Sequence, residues 1–177
     1  MRALGPGSVS SLLKIILDVV YVALWIVAGA VLIGFIASGV LVANPDLLKG
    51  AITINGEVTE LSQRGPSVMG AIAAGGLYVG GVLIIVGRLR RIFATLIAGD
   101  PFQPDNVRRL RVIGVMLALL ELSRYVVAGL FAWLAPGVNK ADAGVSLTAW
   151  FAVLVVFVLA EVFREGARLR REAELTI

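Results

Sequence analysis

Four long stretches of this chain are free, or nearly free, of charge, and their length constrains the fold more than any other feature. Val19 to Ala43, Val68 to Gly87 and Ala143 to Ala160 hold no Asp, Glu, Lys or Arg, and Val112 to Leu134 holds only Glu121 and Arg124. A helix needs roughly 17–25 mainly apolar residues to cross the hydrocarbon of a bilayer, so each stretch reads as a span. The spacing predicts an all-α membrane protein: an antiparallel four-helix transmembrane bundle, with helices at about 12–43, 68–98, 106–134 and 143–173, in one integral membrane domain over 1–177. Composition agrees. The hydrophobic set makes up 59% of the 177 residues and charged residues 16%, against roughly 45–50% and 25% in ordinary soluble domains. The first run exceeds the h-region of a secretory signal, about 7–15 residues, and is read as an uncleaved helix starting near Ser10 or Ser11, either of which could cap it.

Orientation follows from the sixteen Lys and Arg residues. Twelve fall on one side: Arg2 and Lys14; Arg88, Arg90, Arg91, Arg108, Arg109 and Arg111; and Arg164, Arg168, Arg170 and Arg171. Only Lys49, Arg64 and Lys140 fall on the other, with Arg124 at bilayer depth. Positive charge stays inside, so both termini, the loop 88–111 and the tail 161–177 are expected in the cytoplasm.

Between the spans the sequence is patterned. Ala30, Gly34 and Ser38 in the first helix, and Gly76 and Gly80 in the second, are small residues at spacings of four, which predict close helix contact. In the first loop, Ala51 to Leu61 alternates β-formers about Asn55-Gly56, the signature of a type I′ hairpin, so a small extracytoplasmic ribbon is expected. From Arg88 to Ile97 apolar residues recur at helical spacing, extending the second helix beyond the bilayer. Gly99-Asp100-Pro101-Phe102-Gln103-Pro104 then stops it, and Asp105 or Asn106 is positioned to cap the next helix. After the fourth span, Glu165, Arg168, Arg170, Glu172 and Glu174 stand three or four apart, as pairing charges on a projecting helix do. Val162, Phe163, Ala167, Leu169 and Ala173 form a loose apolar stripe on it, fit to dock on the second loop or on another protein.

The chain has no His and no Cys, which removes the commonest general base, thiol nucleophiles and the usual soft metal ligands. Asp100 and Asp105 are explained by the turn and the cap. No catalytic, cofactor or metal site is expected, and the chain is not read as an enzyme. An ionisable group at bilayer depth costs about 2.5–3.5 kcal/mol on insertion scales. Glu121 and Arg124, three apart on one helical face, therefore read as a mutually neutralising pair, or alternatively as the working residues of a small transporter or proton-coupled channel. The basic face is expected to attract anionic lipid headgroups. Direct nucleic-acid binding is disfavoured, since no helix-turn-helix is present. Phe93, Phe102 and Phe163 among arginines have the composition of a protein-docking surface. Self-association, or service as a subunit of a larger membrane complex, stays open.

Gly99-Asp100-Pro101-Phe102 with Asn106, Arg109-Leu110-Arg111 and Ile113-Gly114 resembles the bacterial membrane family called domain of unknown function 2975. The tail, with Glu161, Phe163, Gly166 and Leu169 and the ending Glu174-Leu175-Thr176-Ile177, is similar to that family's C-terminal signature. The resemblance implies four membrane helices and no reaction. Genes of that family often adjoin one for a very small helix-turn-helix regulator, which implies a regulatory or interaction protein of the inner membrane that holds a DNA-binding partner at its basic cytoplasmic face.

Overall fold

The computed structural model describes residues 9–44, 58–134 and 144–175. Four helices make up nearly all of them: α1, Val9–Ala43; α2, Val58–Ile97; α3, Pro104–Leu134; and α4, Leu147–Glu174. Each holds a segment long and apolar enough to cross a membrane. The described residues include no strand.

The burial pattern is that of a protein whose outer solvent is oil. Nine apolar side chains are buried among the described residues, while Ile26, Leu77 and Phe151 are each more than 65% exposed. In water, apolar surface on this scale marks a binding face or drives aggregation. In lipid it is the ordinary exterior, and helices associate there through close packing at small residues.

The chain divides into two compact units. The first takes residues 1–24, 81–123 and 144–177. In it the Arg90 guanidinium donates to the Asp18 carboxylate at 2.5 Å and lies 4.3 Å from the centre of the Tyr21 ring, which joins α1 to α2. Leu120 of α3 packs against Gly81 of α2, where a Cβ would stand 2.6 Å from the leucine Cδ2. Gly114 of α3 receives the ring of Phe157 from α4, at 3.1 Å from a Cβ placed there. Buried Ile92, Leu110, Ile113 and Ala160 form the core of this unit, with Leu89, Leu96, Leu117 and Phe163 around them. Successive helices run antiparallel in it.

The second unit takes residues 25–80 and 124–143. Here α1 and α2 meet where Val31 covers Gly76, Met69 covers Gly39 and Val42 covers Gly65. Gly70 of α2 faces Phe131 of α3. Chain positions fall on α2 as they rise on α1, so this pair is antiparallel too.

Several sequence expectations are corrected. Val58 to Leu61, read as the second strand of the hairpin, form the first turn of α2, ten residues before its expected start. Glu60, Leu61, Gln63 and Arg64 are good helix formers, and growing an existing helix avoids the cost of nucleation, so a short β-alternation loses there. The other strand and the Asn55-Gly56 turn lie outside the described residues. Ser10 and Ser11 do not cap α1, which already runs from Val9. The small residues expected to pack do so unevenly: Gly76 touches Val31, but Cβ atoms at Gly34 or Gly80 would meet nothing within 4 Å. Ser38 donates its hydroxyl to the Phe35 carbonyl of its own helix at 2.9 Å. The fourth helix starts at Leu147, where Ser146 caps it by accepting from the Ala149 amide.

These contacts separate two adjacent glycines. Gly81→Leu drives a side chain into Leu120 and is expected to destabilise by about 1–3 kcal/mol, as overpacking does. Gly80→Leu enters open space and is expected to leave the detergent melting temperature nearly unchanged. Equal melting temperatures for the two variants would contradict this packing.

Candidate functional site

The motif-bearing segments meet in the first unit, at the end carrying the arginines. α2 stops in a Schellman turn: the Gly99 amide donates to the Leu96 carbonyl at 3.1 Å and the Asp100 amide to the Thr95 carbonyl at 3.0 Å. That geometry puts the residue after the cap in the left-handed region, and Gly99 sits there with φ 81°. A side chain at this position would be strained, which is why the turn carries glycine. Pro104 then opens α3. At the first helical position a missing N–H costs nothing and a fixed φ suits the helix, so Pro104, expected only to help end the second helix, starts the third.

Asn106 is not the cap of α3. It is fully buried, and its amide joins three pieces of chain. Nδ2 donates to the Thr95 hydroxyl at 2.6 Å and to the Pro101 carbonyl at 3.0 Å. Oδ1 accepts from Arg109 Nη1 at 2.8 Å, and the same nitrogen reaches the Arg91 carbonyl at 3.3 Å. The Thr95 hydroxyl in turn donates to the Ile92 carbonyl at 2.7 Å. Both amide hydrogens and the oxygen of the buried side chain thus have partners, the condition under which a buried polar group supports a fold. Asp105, the other expected cap, stands in the first turn of α3 with its carboxylate 3.7 Å from Arg109.

The turn also grips α4. Phe102 lies over Gly166, where a Cβ would come within 2.5 Å of its ring, and its centroid is 5.6 Å from that of Phe163 at a tilt of 51°. Asp100 pairs with Arg170, which also donates to Glu174 at 3.0 Å. The helix also carries its own ion pairs, Glu161 with Arg164 and Arg168 with Glu165. Such exposed pairs contribute little to stability. The Phe102–Gly166 contact, with Phe163 packed beside it, fixes where α4 lies, and the Asp100–Arg170 pair stands at its margin.

The residues singled out in the sequence therefore divide by role. Gly99, Asp100, Pro101, Phe102, Asn106, Arg109, Phe163 and Gly166 come together as a clamp. Arg111 lines a groove of 530 Å³ between α3 and α4, together with Arg164, Arg168, Arg171 and Leu175. Leu169 and Leu175 are 55% and 83% exposed, and Thr176 lies outside the described residues. Glu121 and Arg124 are on α3, and the Arg124 guanidinium is 5.1 Å from the centre of the Tyr125 ring. Thr95 and the Asp18–Arg90 pair carry structure that the sequence reading passed over. Asp18 held a clue to the latter, being a lone carboxylate at the edge of an apolar run with arginines on the next helix. Among the described residues no group of three or more Asp or Glu could hold a metal ion.

A chain whose described residues form four membrane-length helices, mostly apolar on their outside and tied at one end by a polar clamp, is a multi-pass membrane protein. It belongs to the family described as "Protein of unknown function (DUF2975)", whose sequence profile matches residues 57–177. The match takes in α2, α3 and α4 with both clamp segments, and stops short of α1. No curated protein and no solved structure matches the chain.

Asn106→Ala removes the fully buried amide and leaves the half-buried Pro101 carbonyl and Arg109 guanidinium short of a partner. Unsatisfied buried groups cost about 1–3 kcal/mol each, so thermal melts in detergent are expected to show a drop of at least that order. A variant as stable as the parent would show that the network does not hold the clamp.

Proposed function

We propose that this protein is an interaction protein of the bacterial inner membrane, with both termini and its clamped basic end in the cytoplasm, where it docks a small helix-turn-helix regulator and holds it at the bilayer. The observation that carries this reading is the course of α4 beyond its apolar run. The helix continues through Glu174, held by Phe102 and Asp100. Its loose apolar stripe splits in two: Phe163 and Ala167 turn inward, while Val162 and Leu169 are each 55% exposed. Seven residues apart, the last two share a helical face. An ordered helix offering apolar anchors among charges suits helix-in-groove recognition.

Two further points support the reading. The twelve-to-three distribution of Lys and Arg supports a cytoplasmic location for this end. The genes that typically adjoin those of the resembling family support a DNA-binding partner. The clamp residues themselves are occupied in holding α4, so the partner surface is the helix they hold.

Tagged protein purified in detergent is expected to carry the regulator encoded by the adjoining gene. Leu169→Glu, which puts a charge at the anchor, is expected to reduce that recovery at least about tenfold, as loss of an interface anchor does, while the protein stays in the membrane. Failure of the regulator to co-purify with the parent protein, or unchanged target transcription after removal of residues 161–177, would overturn the proposal.

A further inference from the structure

We propose that the groove between α3 and α4 binds the phosphate headgroup of an anionic phospholipid. Its depth supports this occupant. Arg111 immediately precedes the apolar run of α3, and Arg164 stands four residues past the end of the apolar run of α4. The groove therefore begins where hydrocarbon gives way to headgroups. It continues outward along α3 to Pro104, about 10 Å at the rise of a helix.

Its charge supports the same ligand. Two carboxylates line the groove, Glu165 and Glu172, and both are held by Arg168, at 2.6 and 3.6 Å. Arg164 is held by Glu161. The side chains of Arg111 and Arg171 make no ion pair or hydrogen bond among the described residues, so the groove keeps two uncompensated guanidinium groups. A guanidinium presents a planar fork of donors that matches phosphate oxygens. Val107 and Ala167, both buried, form part of the apolar wall, against which a glycerol backbone and the first acyl carbons fit. An acidic protein segment would also meet these arginines. It would not explain their level at the ends of two membrane runs, where a lipid phosphate is already present.

The site is separate from the anchor face of α4. Arg164, Arg168 and Arg171 recur at spacings of three and four on one side of the helix, and Val162 and Leu169 lie on another. Regulator docking and lipid binding can therefore fail independently.

Native mass spectrometry of the full chain in detergent, titrated with phosphatidylglycerol or phosphatidylcholine, tests the site. The parent protein is expected to retain phosphatidylglycerol preferentially. The double variant Arg111→Gln with Arg171→Gln is expected to bind it on the order of tenfold more weakly, in line with two arginines near a membrane surface. Arg91→Gln with Arg108→Gln removes the same charge outside the groove and is expected to leave binding nearly intact. Arg111→Lys with Arg171→Lys, which preserves both charges, is expected to recover part of the affinity and to show that the fold tolerates change at these positions. Excess inorganic phosphate is expected not to displace the lipid. No preference in the parent, equal losses in the two glutamine pairs, or displacement by inorganic phosphate would overturn the proposal. So would unchanged lipid binding in a groove variant that has lost the regulator, because the groove would then be a protein site.

Discussion

The amide of Asn106 is the interaction on which the basic end depends. Apolar contacts are non-directional, so side chains of similar size can be repacked in more than one way. A buried amide does not permit this, because each of its groups must meet one partner at one distance. By joining the last turn of α2, the Pro101 carbonyl and Arg109 of α3, it fixes how the chain reverses. That reversal sets Phe102 on Gly166 and Asp100 beside Arg170. The outer half of α4 is thereby held beside α3 instead of projecting alone, and both the exposed Val162–Leu169 face and the arginine-lined groove take their positions from it.

The remainder of the molecule is held by close approach. Gly81 under Leu120, Gly114 under Phe157 and Gly76 under Val31 are positions where the missing side chain makes room for a neighbour. Such packing is what remains to hold helices together when the surrounding solvent is as apolar as the side chains. The Asp18–Arg90–Tyr21 contact adds a polar tie between α1 and α2. Oily spans give placement in the membrane and the clamp gives one end a defined shape.

The spans were legible in the sequence because hydrocarbon imposes a length and a near absence of charge, both of which are local properties. The end of α2 was legible for a similar reason: only a few residue types tolerate the backbone that Gly99 adopts. Asn106 was misread because an asparagine near a helix start is most often a cap, and nothing local distinguishes a capping amide from a buried one. Pro104 decided the matter by taking the first helical position and moving Asn106 into the helix, toward Thr95, eleven residues back. Val58 to Leu61 were misread because a few alternating residues cannot outweigh continuity with a long helix. The small-residue stripes carried no information about facing: Gly80 and Gly81 are neighbours in sequence, yet one meets open space and the other a leucine. The stripe on α4 was visible, but which of its residues turn inward depended on Phe102, sixty residues away.

The central claim is that the turn after α2 fixes the outer half of α4, and distance measurement between spin labels tests it most directly. The chain contains no Cys, so cysteines placed at Ala98 and Ala173 can be labelled without background. In the parent protein the account predicts one narrow distance distribution, which broadens in Gly166→Leu as the Phe102 ring is displaced. A parent distribution that is already broad, or a narrow one that survives Gly166→Leu unchanged, would contradict it.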